Sequence, residues 1–375
     1  MPHTTRIWAC ASAVLFLVPT SHSFSQDDAW LKDTAEGNHF REQNRHLEAE
    51  SRYLDAYRLI AGDEKCERLA VSLNNLASIY RDEGRYGDAE TFARRALEIR
   101  RQLSGSKNAA IAVALNNLAE VYRVQAENAL AEPLYLQAIS ILEEVTPAND
   151  AALTTALTNL ALLRMGQGRR ASAEPLLRRA MLIWDNAPQP NDPVIARAAN
   201  NLAILYARMG RYVEAEALTR RALSILEKRP ERPPLDLAVS LGNLAHLNFI
   251  QSRYNAAEDL YRRALHVLTR TVGPQHALTA STLNNLGALY FRQGRYTDAE
   301  ATLRRALEIH LSTSGPESIS TAEVLANQAV LLRHLKRKGE AKKLEARVRS
   351  IRAAHSRENL ESYTVDISAL LTPRK

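Results

Sequence analysis

The chain has 375 residues, 46% of them hydrophobic and only 6% aromatic, with 14 glycines and 14 prolines. That apolar content excludes a disordered chain, and two cysteines exclude a disulfide framework. A formal net charge of +7 aids solubility and permits acidic partners without implying them.

Residues 1–25 read as a secretory leader. Arg6 supplies a short basic start, Ile7 to Val18 form an apolar stretch of twelve, and Pro19 ends it. Small residues at Ser21, Ser23 and Ser25 offer cleavage after Ser23 or Ser25. Twelve residues fall short of the ~20 that span a bilayer as a helix. The expected location is therefore exported, periplasmic or secreted, with an uncleaved anchor as the alternative. Trp8 stands where a lipidated Cys10 needs a small residue, which argues against an acylated N-terminus. No later apolar run approaches ~20 residues, so no stable membrane insertion is expected after the leader is removed. Cys66 then stands alone, and we read it as a small packed hydrophobe on a helix.

Trp30 to Phe40 and Leu47 to Ile60 predict a short, partial pair of helices over residues 28–62. Beyond it the sequence repeats. Asn74-Asn75-Leu76-Ala77 returns as Asn116-Asn117-Leu118-Ala119, Asn200-Asn201-Leu202-Ala203 and Asn284-Asn285-Leu286-Gly287. Weaker copies lie at Thr158-Asn159-Leu160-Ala161, Gly242-Asn243-Leu244-Ala245 and Ala326-Asn327-Gln328-Ala329, and neighbouring copies are 42 residues apart. Ala89-Glu90, Ala131-Glu132, Ala173-Glu174, Ala215-Glu216, Ala257-Glu258 and Ala299-Glu300 keep the same period. The expected units are about 68–109, 110–151, 152–193, 194–235, 236–277, 278–319 and a degenerate cap at 320–350.

Each unit reads as two helices. In the sixth, Leu283, Leu286, Gly287 and Tyr290 share one face of a first helix. Gly294-Arg295-Tyr296 makes the turn, and Ala299, Leu303, Ala306 and Leu307 line a second helix. Gly315-Pro316 then closes the unit, glycine supplying a left-handed exit and proline preventing continuation. A single hairpin cannot bury both faces, so each must stack on the next. The last unit offers Lys336 in place of the turn glycine and carries a charged second half, as a capping unit would. The segment 356–375 is not repeat-like, and its stretch from Tyr363 to Leu371 reads as an extension that packs on the last repeat or binds a partner.

The pattern Leu73, Leu76-Ala77, Tyr80, Gly84, Ala89, Ala93, Ala96 resembles the tetratricopeptide repeat. The long unit, with paired asparagines and a Gly-Arg-Tyr turn, is similar to repeats of kinesin light chains and related bacterial proteins. The resemblance implies an all-α fold, a right-handed superhelical solenoid of antiparallel helix pairs. It also implies a concave groove, lined by the first helices, that holds peptide segments of partners.

Carried onto this sequence, the resemblance places Asn75, Asn117, Asn159, Asn201, Asn243, Asn285 and Asn327 in a ladder along that groove. A carboxamide offers both a donor and an acceptor, which suits an extended peptide backbone. The same side chains also suit ties between neighbouring helices, and the two roles are compatible. Variable neighbours include Asn200 and Asn284, His246, and the series containing Arg81, Arg123, Phe249 and Phe291. Arg81 and Arg123 make the N-terminal end basic. Phe249 and Phe291 are expected as exposed rings on adjacent repeats, or else as packing against the preceding repeat.

The pairs Arg94-Arg95, Arg178-Arg179, Arg220-Arg221, Arg262-Arg263 and Arg304-Arg305 follow a glutamate by four or five residues. That spacing predicts helix-stabilising ion pairs on a solvated face, not a stripe for nucleic acid. No His-Glu-x-x-His string, cysteine pair or phosphate loop is present, so no cofactor, metal or catalytic residue is expected. The expected function is a non-catalytic protein–protein interaction scaffold, with a protein or peptide as partner and the oligomeric state open. The alternatives are an assembly factor of a cell-envelope complex that uses the solenoid's ends or convex face, and an enzyme or effector domain.

Overall fold

The structure, a computed structural model, describes residues 21–42, 45–62, 66–104, 108–145, 151–185, 193–228 and 235–355. The first twenty residues of the expected leader and the segment 356–375 lie outside these. Among the described residues there are sixteen helices and no strand. A leading pair, α1 (Ser21–Glu42) and α2 (His46–Ile60), precedes seven further pairs. These are α3 (Glu67–Asp82) with α4 (Tyr86–Ser104), α5 (Ala109–Val124) with α6 (Asn128–Val145), and α7 (Ala151–Gly166) with α8 (Arg170–Asp185). There follow α9 (Pro193–Arg208) with α10 (Tyr212–Leu226), and α11 (Leu235–Ile250) with α12 (Tyr254–Thr271). The last are α13 (Ala277–Arg292) with α14 (Tyr296–Thr313), and α15 (Ile319–His334) with α16 (Lys338–Ala354). The architecture is an all-α solenoid of paired antiparallel helices.

The seven first helices are each 16 residues long and start 42 residues apart, from 67 to 319. The small residues do what their spacing requires. Ala77 and Ala89 are buried where helices of one pair meet, and Ala119, Ala131, Ala203 and Ala215 repeat the contact. In the sixth unit Gly287 takes the alanine position, and a Cβ there would lie 2.7 Å from Leu303 Cγ.

The leading pair is complete, not partial. Helix α1 has 22 residues, but Trp30 is the one side chain it buries among those described, and its Gly37 lies buried against the Tyr53 ring. Its length therefore leaves no apolar stripe to read. Trp30 Nε1 donates to Ser72 Oγ at 2.8 Å, which docks the pair on the first unit. Cys66 is also placed differently from the expectation. It stands at the N-cap of α3, where its Sγ accepts from the Leu69 amide at 3.3 Å.

Every turn between the two helices of a unit needs one residue in the left-handed region. Glycine fills it at Gly84, Gly168, Gly210 and Gly294, with φ between 72° and 78°. Ala126, Ser252 and Lys336 hold the same place at φ 60°, 61° and 63°. A Cβ in that conformation costs about 1 kcal/mol. Ala126→Gly, Ser252→Gly and Lys336→Gly are each expected to stabilise the protein by roughly that amount, read as a raised urea midpoint at constant slope. An unchanged or lowered midpoint in all three would contradict this account of the turn.

The residue after the turn ties units together. Arg295 lies over the Tyr290 ring at 4.1 Å and reaches back to Glu258 at 2.9 Å. Arg85–Glu50, Arg169–Glu132, Arg211–Glu174, Arg253–Glu216 and Arg337–Glu300 repeat the ion pair at 2.5–2.9 Å. Some of the same glutamates also take the arginine four residues on, as in Arg178–Glu174 at 3.3 Å, Arg220–Glu216 at 2.7 Å and Arg262–Glu258 at 2.6 Å. The second arginine of three pairs reaches back one unit as well: Arg179 to Glu143, Arg221 to Asp185 and Arg263 to Glu227. These charges are therefore spent within the solenoid. The second unit lacks its rung, because Glu127 stands where the other turns have arginine. Glu90 bonds Tyr122 Oη at 2.9 Å instead. Restoring the rung with Glu127→Arg is expected to add about 0.5 kcal/mol at low salt, and the gain should fade in 1 M NaCl. A salt-independent change in the chemical-denaturation midpoint would argue against an ionic origin.

Candidate peptide-binding groove

The first helices α9, α11, α13 and α15 touch in series and leave a cavity of about 880 Å³ along their shared face. It runs the length of α9 and α11, narrows to the first half of α13, and reaches the start of α15 at Ile319, Ser320 and Glu323. Its walls are mainly apolar, with Ile204, Val239, Ile250 and Leu278 among them. Asn200, Asn201, Asn243, Asn285 and His246 supply polar groups. Asn75, Asn117 and Asn159 are half-buried on the corresponding face of earlier units, outside this cavity.

Two subtractions in the repeat open the space. Thr219 occupies the position that Leu177, Tyr261 and Leu303 hold in the neighbouring units. It is fully buried and forms part of the lining. Gly242 stands where Asn200 and Asn284 stand before and after it, and a Cβ built on it would meet nothing within 4 Å. Thr219 carries no chemical signature of a site. The one sign available in the sequence was a smaller residue than its neighbours in the repeat.

The asparagines form a ladder, and its rungs run between helices. Asn159 Nδ2 donates to Asn116 Oδ1 at 3.1 Å, and Asn327 Nδ2 donates to Asn284 Oδ1 at 2.9 Å. The first asparagine of each rung is buried in the helix–helix contact, as Asn74, Asn116, Asn200 and Asn284 are. Asn327 is fully buried too, so both Asn284 and Asn327 are withdrawn from the groove surface. In the cavity the pattern fails. Asn200 donates to Ser240 Oγ at 2.6 Å, which leaves its Oδ1 without a partner. Asn243 Nδ2, which by the repeat should meet that oxygen, has none either. A buried carboxamide atom left unpaired costs about 1–3 kcal/mol, and both residues that carry one here contribute to the cavity's lining.

His246 lines the same space with its Nδ1 unpaired. Burial, with the Arg208 charge adding to it, pushes its imidazole down to about 4. It is therefore neutral at pH 7 and offers a ring nitrogen, stacked at 6.4 Å and 16° against Phe249. Near the α9 edge, Arg197 and Asp236 pair at 3.8 Å. Burial pushes the Asp236 carboxyl up, with Arg197 opposing.

The expected exposed rings are not found. Phe249 and Phe291 are 3% and 7% exposed. Each packs under the tyrosine that opens the following helix, Tyr254 at 6.0 Å and Tyr296 at 5.8 Å. His334 covers Phe291 further at 5.5 Å. The position lies at the end of the first helix, where the turn folds the next helix back over it. Nor do Arg81 and Arg123 offer uncommitted charge. Arg81 pairs with Asp82 at 2.7 Å, and Arg123 pairs with Glu120 at 2.6 Å. Among the described residues no group of three or more His, Cys, Asp or Glu could hold a metal ion, and no helix is long and apolar enough to cross a membrane.

Stacked helix pairs with a groove along the first helices define a helical-repeat scaffold. Residues 68–144, 152–228, 236–312 and 279–354 match the tetratricopeptide repeat, and the chain belongs to that family. Among solved structures it is similar to BtubC (BKLC) from P. vanneervenii, at 25% identity and a TM-score of 0.51, over 64% of this chain and 96% of that one. A Rap protein complexed with competence and sporulation factor matches at 15% identity and a TM-score of 0.59, over 90% of this chain and 99% of that one. The TPR-like repeats of a putative kinesin light chain of Podosopora anserina match at 19% identity and a TM-score of 0.46, over 55% and 97%. No curated protein matches the chain.

Proposed function

We propose that this protein is a non-catalytic interaction scaffold that holds an extended peptide segment of a partner between α9 and α15. Proteins of this fold generally act as scaffolds that bind proteins or peptides. The observation that carries the finer reading is the elongated, mainly apolar cavity of about 880 Å³ along the first helices, with Asn201, Asn243 and His246 among its polar lining. An extended peptide presents an N–H and a C=O at every residue, so it satisfies an acceptor and a donor together. The apolar walls then take its side chains, with Asn201 among the polar groups beside them. The leader read in residues 1–25 supports a site of action outside the cytoplasm.

The test is fluorescence polarisation with peptides selected from a random displayed library on the whole protein. Asn201→Ala and Asn243→Ala should each weaken the selected peptides about five- to tenfold, the worth of one hydrogen bond of roughly 1–1.4 kcal/mol. Melting should stay unchanged in Asn243→Ala, because its Nδ2 has no internal partner. Affinities indifferent to both substitutions, with helicity intact, would sink the groove reading.

A further inference from the structure

The second unit departs from the repeat on one face of one helix. Where Arg94-Arg95 and Arg178-Arg179 stand in the units on either side, α6 has Leu136-Gln137. Where Asp88, Glu214 and Asp298 stand, it has Leu130. Ala129, Pro133 and Ser140 complete this outer face, and all six side chains are exposed. Leu130 is 51% exposed and Leu136 46%. These six positions hold no charge in α6, yet at least two charges in every other second helix from α4 to α16. Apolar side chains gathered where sister units place charge mark a contact surface. Glu127, which interrupts the ties between units, stands at the end of the same face.

Charge and area say what covers it. Helix α6 contains no lysine or arginine. Glu127 precedes its first turn, Glu143 and Glu144 lie in its last, and all three are exposed. The arginines of α4 and α8 beside it are held by carboxylates: Arg94 by Glu90, Arg95 by Glu98, Arg178 by Glu174 and Arg179 by Glu143. The face is thus apolar along its middle and acidic at both ends. A second copy fits it poorly. Whether two α6 ridges align parallel or antiparallel, carboxylate meets carboxylate at each end. The uncharged stretch 129–140 is also ~18 Å long and ~10 Å across, roughly 200 Å² against the ~800 Å² per partner of a stable dimer. An extended strand finds no backbone groups to pair with, because α6 spends its own within the helix. A helix needs none.

We propose that the outer face of α6 docks a basic amphipathic helix of a partner protein. Apolar side chains of that helix, at i, i+3, i+4 and i+7, pack over Leu130, Pro133 and Leu136. A lysine or arginine near each of its ends meets Glu127 and Glu144, which lie ~25 Å apart along the axis, about 17 residues of helix. The site belongs to the second helices and the peptide groove to the first, so neither reading rests on the other. A scaffold with both would hold an extended segment and a helix at once.

A displayed library of helical peptides of about 18 residues, selected on the whole protein, supplies the probe. The selected helices should be net positive with one apolar stripe, and a photoreactive group on that stripe should give adducts on α6. Leu136→Arg with Gln137→Arg, and separately Leu130→Ser, should each weaken them at least tenfold. Sister units already carry these residues, as Arg178-Arg179 and Ser172, so helicity and melting should hold. If the arginine pair lowers the melting temperature, Leu130→Ser alone decides. Raising NaCl to about 500 mM should weaken binding several-fold. Adducts confined to other helices, selected sequences without net positive charge, or affinities indifferent to both variants would overturn the proposal. A dimer seen by sedimentation and broken by the double variant would assign the face to a second copy. Flotation with anionic or neutral vesicles, lost in that variant, would assign it to a membrane. Either result overturns the proposal and leaves the groove reading untouched.

Discussion

Gly242→Phe is expected to lower peptide affinity at least a hundredfold while leaving the protein as stable as before, or slightly more so. The two effects have separate causes. Gly242 lies inside α11 with open space at its Cβ position, so a side chain can begin there without a backbone clash. Replacing glycine within a helix gains a few tenths of a kcal/mol in helix propensity. The added ring projects into the cavity and competes with the ligand for it. Excluding about 100 Å² of apolar ligand surface forfeits roughly 2.5 kcal/mol, and a hundredfold in affinity is about 2.7 kcal/mol. Thermal melting and fluorescence polarisation on the same sample decide the matter. A loss of affinity that comes with a lower melting temperature would mean the substitution acted by unfolding. Full affinity in a stable variant would mean the ligand sits elsewhere.

Acidification is expected to destabilise the C-terminal units well before the carboxylates titrate. His246 and His310 are both pushed down to about 4 by burial. In the unfolded chain a histidine titrates near 6.5. Between pH 6.5 and 4 the unfolded state therefore binds more protons than the folded one. The contribution is whole above pH 6.5 and drains away as pH falls through that window. A depression of that size is worth up to about 3 kcal/mol per residue. His310, only 1% exposed and touched by Ser281 and Ser314 hydroxyls at 3.4 Å, should carry the larger share. The partly exposed His246 gives less. Melting followed from pH 7.5 to 4.5 should show a falling midpoint that His310→Leu blunts. Hydrogen exchange should place the early opening in α11 to α14. A midpoint flat between pH 7 and 5 would refute the argument. Paired carboxylates such as Glu216, held at about 2 by its arginines, add their own losses only at lower pH.

Periodic features were legible in the sequence, and departures from periodicity were only half so. The 42-residue spacing fixed where each helix begins, and the alanines fixed which faces meet, because a repeated contact writes the same small residue each time. The glutamate-to-arginine spacing foretold the intrahelical ion pairs, but Arg169, Arg211, Arg253, Arg295 and Arg337, each after a turn, reach a glutamate 37 residues back in the structure. No local pattern announces a tie across units. Asn284 and Asn285 are neighbours in sequence yet about 100° apart around a helix, so one is sealed in the contact and the other faces the groove. Phe249 and Phe291 looked like groove rings because their positions vary. They are buried by Tyr254 and Tyr296 from the next helix, which only the turn geometry reveals. The cavity was the hardest to foresee. It is made by what Gly242 and Thr219 lack, and a string of residues shows what is present at a position more readily than the volume missing around it.

The uniform offset of these ties bears on how such a gene can change. Each of these turn arginines finds its glutamate in the helix pair just before it, and every helix start from α3 onward falls at the same phase of the 42-residue period. Unequal recombination between two copies of the coding unit removes or adds one whole period. The new junction then presents an arginine and a glutamate in the same relation as the old. Units can be gained or lost without leaving an ion pair unmatched, save at the second unit, where Glu127 interrupts the series. An array of this kind can lengthen or shorten its groove in single generations, while point substitutions such as those at positions 219 and 242 decide where along it a ligand is held.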